Sequence, residues 1–182
     1  MIIDKLYDKL PLVEEWIMSL LKNCSSQSIP LHSFNFKRFP KYFSLTTIES
    51  ARVVLVDKIP VPPLSDFGLK EFKDFETGDY AGITYLDTYF INRQFEKDES
   101  LHFHELVHVV QWRILGLQKF LLLYGAGIIK NGYSESPLEK MAYNYQRLFN
   151  DLLEPFDVES EVEKELDKIN SVWGYLISDE SQ

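Results

Sequence analysis

The sequence predicts an α+β fold in which a small β-sheet packs on a helical subdomain, and three observations carry that expectation. Two short runs, residues 51–57 and 81–91, are rich in β-branched and aromatic residues and read as strands. Several longer stretches repeat apolar residues at helical spacing. Between the strands and the last helices lies a segment closing at Gly116 that carries two histidines four positions apart.

Taken in order, Leu12, Val13, Trp16, Ile17, Leu20 and Leu21 follow an i, i+3/i+4 rhythm, with Glu14, Glu15 and Ser19 on the opposite side. Residues 23–30 form a polar loop, and Lys37, Arg38 and Lys41 read as a solvated edge. The first strand, 51–57, leaves into the extended segment Ile59-Pro60-Val61-Pro62-Pro63. Residues 71–79 are charged and turn-like. Residues 81–91 form the second strand, with Ile83, Tyr85, Asp87, Tyr89 and Ile91 on one face. A helix runs from 117 to 130 and stops at Asn131-Gly132; Gly125-Ala126-Gly127 inside it implies close packing against a neighbour. Ser136-Pro137 opens another helix, extending to about Leu153 with Pro155 behind it. From Asp157 the apolar positions Val158, Val162, Leu166 and Ile169 run beneath an acidic, solvated face, and the tail from Ser178 to Gln182 is expected to fray.

Composition narrows the function classes. The 182 residues, 45% hydrophobic, suit one sizeable core with no second compositional regime, so a single domain spanning 1–182 is expected. A net charge of −9 repels polyanions, which argues against nucleic acid as the partner. Cys24 is the only cysteine, so no internal disulfide is expected and any metal must be held by His and carboxylate. The first residues lack a secretory pattern, and the longest apolar stretch, 120–129, is about half of the ~20 residues a span requires. A cytoplasmic location without a membrane span is expected.

His104-Glu105-Leu106-Val107-His108 carries the chemistry. Side chains four apart share a helix face, so both imidazoles reach one cation. Glu105 then stands beside the pair, where a carboxylate takes a proton from the reacting water without becoming a ligand itself. Zinc is the expected ion.

Catalytic zinc takes three protein ligands and keeps a position for water. Glu139 is the expected third, 31 positions after His108 (139 minus 108), near the start of a helix that folds back after one intervening helix. Ala142 on the same face lets the helices approach. Glu135 is the fallback. A competing reading takes Ser136-x-x-Glu139 as a capping box in which both side chains satisfy backbone amides. Asp79, Asp87 and Gln111 are candidates to orient the imidazoles.

The segment 80–150 resembles the gluzincin branch of the zincin-like metallopeptidases, in which HExxH on one helix is joined by a glutamate on a following helix. The matching positions are His104, Glu105, His108 and Glu139. The resemblance implies a zincin-like fold, a strand before the first helix that runs beside substrate, and a Tyr or His as oxyanion stabiliser. Tyr133, Tyr143 and His102 are the candidates for that last role, although His102 faces elsewhere on a continuous helix. The chain departs from larger gluzincins in lacking a sizeable domain after the third-ligand helix, and Tyr143 stands where an acidic partner usually follows the third ligand.

The expected activity is hydrolysis of an amide bond in a peptide or protein, with Glu105 accepting the proton of a water whose pKa zinc lowers toward ~7 and passing it to the leaving nitrogen. Two alternatives differ in class. One is a zincin-like metal-binding domain without peptidase activity that binds a protein partner, for example through the Tyr85/Tyr89 strand; the other is a metal-free helical domain in which Glu139 only caps.

Overall fold

The structure, a computed structural model, describes residues 2–151 and 154–173. Among them are seven α-helices and one four-stranded sheet: α1 (Ile2–Cys24), β1 (Ile29–Pro30), α2 (Leu45–Ser50), β2 (Arg52–Val56), α3 (Lys73–Glu76), β3 (Gly82–Tyr85), β4 (Thr88–Asn92), α4 (Glu99–Leu115), α5 (Leu117–Asn131), α6 (Pro137–Asn150) and α7 (Val158–Trp173). This is the expected α+β arrangement, a small sheet on a helical subdomain. The expected frayed tail from Ser178 and the helix end near Leu153 lie outside the described residues. No helix among the described residues is long and apolar enough to cross a membrane.

The strand order is β1-β2-β4-β3, with β2 and β4 parallel and the other pairs antiparallel. Residues 81–91 are therefore a hairpin and not the single strand expected. Leu86, at φ 59°, turns the chain in the left-handed region, where a leucine gives no sequence signal comparable to Asn-Gly. The turn also changes which side chains share a face. Thr84 pairs with Tyr89 and Gly82 with Ile91, so these four face together, while Ile83 and Tyr85 pair with Phe90 and Thr88 on the other face. Thr84 is thereby turned to α4, where its carbonyl accepts from Trp112 Nε1 at 3.1 Å.

Helix α4 is the centre of the molecule. Asp98 caps its start by accepting from Leu101 N, and Gly116, at φ 72°, ends it. Twelve of its side chains, from His102 to Leu115, are buried, because the sheet, α5, α6 and α7 surround it. Helix α1 begins well before the expected residue 12, and its buried stripe is Leu6, Leu10, Val13 and Ile17, which rotates Leu12 outward to 40% exposure. That stripe lies on α5. A Cβ on Gly125 would come 2.5 Å from Leu6 Cδ2, and one on Gly127 2.8 Å from Pro137 Cδ, which is the close packing expected of these glycines.

Two surface expectations are corrected. Residues 71–79 contain α3, with Phe72 and Phe75 anchoring it in the core. Arg38 is not part of a solvated edge: its guanidinium lies 3.6 Å over the Phe149 ring and donates to the Phe149 carbonyl, on an aromatic cluster with Phe39, Tyr42, Phe43 and Phe103.

Candidate metal centre

The helix geometry brings His104 and His108 together one turn apart, and α6 delivers Glu139 against them. His104 Nε2 and His108 Nε2 are 3.1 Å apart; Glu139 Oε2 is 3.3 Å from the first and Glu139 Oε1 is 3.4 Å from the second. Donors held at ~2.0–2.1 Å by a tetrahedral ion stand about 3.3 Å from one another, so this triangle has the dimensions of one face of such a site. The three residues are a buried group that can hold a metal ion.

Two further observations fit a cation at this point. Glu139 is only 1% exposed, and its Oε2 accepts no hydrogen bond. A carboxylate oxygen sealed from water and without a hydrogen bond is costly unless something positive completes it. Ser136 Oγ makes no capping bond and is itself buried without a partner, so the capping box that would have claimed Glu139 is not formed. Glu135 is outside the centre, paired with Lys140 at 2.8 Å on the surface.

The amide side chains around the histidines fix which ring nitrogen faces the centre. Gln111 Nε2 donates to the Leu138 carbonyl at 3.0 Å, an atom that only accepts, so Gln111 Oε1 must be the atom 2.7 Å from His108 Nδ1. Nδ1 of His108 therefore carries a proton, and Nε2 is the nitrogen that faces Glu139, free to ligate once it gives up the second proton. Gln146 takes the corresponding place beside His104, its Oε1 lying 3.1 Å from Nδ1 while its Nε2 is 2.9 Å from Ser100 Oγ. Of the expected orienting residues, Gln111 occupies that place. Asp79 and Asp87 do not: Asp79 borders the outer cleft, and Asp87 accepts from the Thr88 hydroxyl.

Charge follows from this packing. Burial disfavours an ionised Glu139, yet His108 and then His104 outweigh it and hold the carboxyl well below the usual range. Burial also opposes a charged His108, but Glu139 raises its pKa to about 9. Without a metal the centre thus binds a proton where its three donors converge. Tyr124 donates to Glu139 Oε1 at 2.6 Å and stays neutral, since burial and then the Glu139 charge push its pKa well up.

Glu105 is separate from the triangle and 3% exposed. Thr84 Oγ1 donates to its Oε2 at 2.7 Å, and burial raises its pKa against the opposing charge of the histidines. Gly82 lies so close that a Cβ there would sit 2.5 Å from Glu105 Oε1. An outer cleft of about 500 Å³ reaches this carboxylate and is bordered by His104, Tyr133, Tyr143 and Gln146. Tyr143 is half-exposed, its ring 4.5 Å from that of His104, so both expected tyrosines border the centre.

His102 is not brought to the site. Its Nδ1 is 2.9 Å from Tyr89 Oη and its Nε2 2.9 Å from the Glu96 carbonyl, between Phe34 and Phe36. Two positions from His104 on a continuous helix, it faces away, and both nitrogens are occupied. Tyr124, Gln146, Thr84 and Gly82 were absent from the expected set. Gln146 had a signal: it follows Glu139 by seven positions, two turns along one face of α6.

Compared with models of known protein families, with curated proteins and with solved structures, the chain finds no match.

Proposed function

We propose that this chain is a zinc-dependent hydrolase of gluzincin type that cleaves an amide bond in a peptide or protein. The observation that carries the reading is the juxtaposition of a buried His104, His108 and Glu139 group with a second carboxylate, Glu105, that borders an open cleft. Zinc in that group supplies a Lewis acid that polarises a carbonyl and makes a hydroxide available near neutral pH. His104 and His108 present Nε2, locked by Gln146 and Gln111, and Glu139 adds the charge that offsets the ion. Glu105, oriented by Thr84, takes the proton of the attacking water and hands it to the leaving nitrogen. Tyr133 and Tyr143 border the space where an oxyanion develops, and one of them serves as its hydrogen-bond donor.

Metal analysis of protein purified without added metal is expected to find about one zinc per chain, and a broad peptide library is expected to be cleaved. Glu105→Gln keeps the zinc and lowers turnover by a factor on the order of 10²–10⁴. Undiminished turnover in that variant removes Glu105 as the base; zinc without turnover of any peptide favours the binding-domain alternative.

A further inference from the structure

Behind the metal centre lies a second, inner cavity of about 70 Å³, and Gly82, Glu105 and Tyr133 border both it and the outer cleft. His108 and Glu139 lie in its wall, so the candidate metal group borders the space. The remaining lining offers almost nothing to a polar guest. Tyr85 Oη donates to the Pro60 carbonyl at 2.9 Å, Trp112 Nε1 to the Thr84 carbonyl, Thr84 Oγ1 to Glu105 and Tyr124 Oη to Glu139, so these four polar groups are already engaged. A charged or amide-bearing group driven into this space would lose its hydration with no replacement.

The shape narrows the guest further. Leu6, Leu10, Val13 and Ile17 of α1 all border the cavity, and eleven residue steps of helix correspond to about 16 Å. A volume of 70 Å³ holds on the order of five water- or methylene-sized groups. Gly125 lets Leu6 pack directly against α5, so a Cβ there would press Leu6 out of its place in the cavity wall.

We propose that the inner cavity receives an unbranched aliphatic acyl chain attached to the scissile carbonyl, which makes the preferred substrate a medium-chain N-acyl amide. The chain is a better occupant than a branched or polar amino-acid side chain because it is unbranched, apolar throughout and matched to the small volume. This rests on the hydrolase reading given above. In the reaction the water oxygen bonds to the acyl carbon, the C–N bond breaks, and the proton taken by Glu105 goes to the departing amine, leaving a fatty acid and an amine.

The test is calorimetric binding of a series of aliphatic hydroxamates, acetyl to decanoyl, to the zinc-loaded full chain. Affinity is expected to rise roughly three- to fourfold per methylene until the cavity is filled at about six to eight carbons, then to level off. Leu121→Trp and Gly125→Ala, which narrow the lumen from α5, are expected to move that break to shorter chains. Equal affinity from acetyl to decanoyl overturns the proposal while leaving the metal centre intact. Should acetohydroxamate itself fail to bind, the hydrolase reading has failed, and methyl NMR with 1-hexanol then decides the cavity. Shifts confined to the methyls of Leu6, Leu10, Val13 and Ile17 support an aliphatic site; unmoved methyls overturn it.

Discussion

Gln111 joins His108 to the third-ligand helix: one end of its amide accepts from the imidazole and the other donates to the Leu138 carbonyl, the residue before Glu139. The orientation of the ring and the position of α6 are thus set by one side chain. Replacing Gln111 with Ala is expected to weaken metal affinity about 10–100-fold. Chelator competition measures this, and Gln146→Ala should fall in the same range. An unchanged affinity in both variants would mean that the helices alone orient the rings.

Metal loading must release the proton that His108 retains beside Glu139. Because this histidine is raised from 6.5 to about 9, it is protonated in the metal-free chain across neutral pH, and apparent metal affinity should fall as pH drops below about 9, by up to about tenfold per unit for this group. The linked stability has the opposite course. The charged pair stabilises the metal-free fold below 6.5, and that contribution is lost as pH rises through 9. Metal titrations and thermal melts between pH 6 and 9.5 check both signs. A metal affinity that does not vary with pH would contradict the shared proton.

Gly82→Ala adds one carbon 2.5 Å from Glu105 Oε1 and 2.9 Å from its Cδ. The carboxylate must move, since the three atoms nearest the new carbon all belong to Glu105. Turnover should drop at least about tenfold with metal content unchanged, since small displacements of a reacting group are costly. Loss of metal instead would show that the strand and the triangle shift together.

Glu159 fastens α7 to α2 and α4. Its carboxylate accepts from Ser44 N, Ser44 Oγ and Thr47 Oγ1 at 2.6–3.0 Å and from Arg113 at 2.7 Å. Burial raises its pKa, but the hydroxyl and amide donors and then Arg113 hold it below 4.5. A depressed carboxylate contributes stability that is present above 4.5 and is lost as pH falls through its own lower value. Glu159→Gln should cost about 1–2 kcal/mol at pH 7 in urea denaturation, with the difference from the parent chain closing under acid conditions. A gap that stays constant with pH would assign the effect to packing.

Local signals were the readable ones. The HExxH helix, its stop at Gly116 and the stop of α5 at Gly132 follow from backbone preferences within a few residues, and so does the start of α6 at Ser136-Pro137. Glu139 was reachable because a third donor was required, and Gln111 because it lies one turn beyond His108. Tyr124 and Thr84 come to the site through packing of α5 and of the hairpin on α4, and no spacing along the chain announces either. The hairpin was hidden by Leu86: its side chain belongs to the β-rich pattern while its backbone does not.

Helix α1 is completed at residue 24, but the surface it covers on α5 includes Gly125, 119 positions after Leu6 (125 minus 6). At about 5–20 residues per second, a ribosome needs on the order of 6–24 s to supply that partner. During this interval the leucines of the first helix have no native neighbour from α5. The emerging polypeptide is therefore exposed to clumping through this helix, and slowing translation ahead of residue 117 lengthens that exposure.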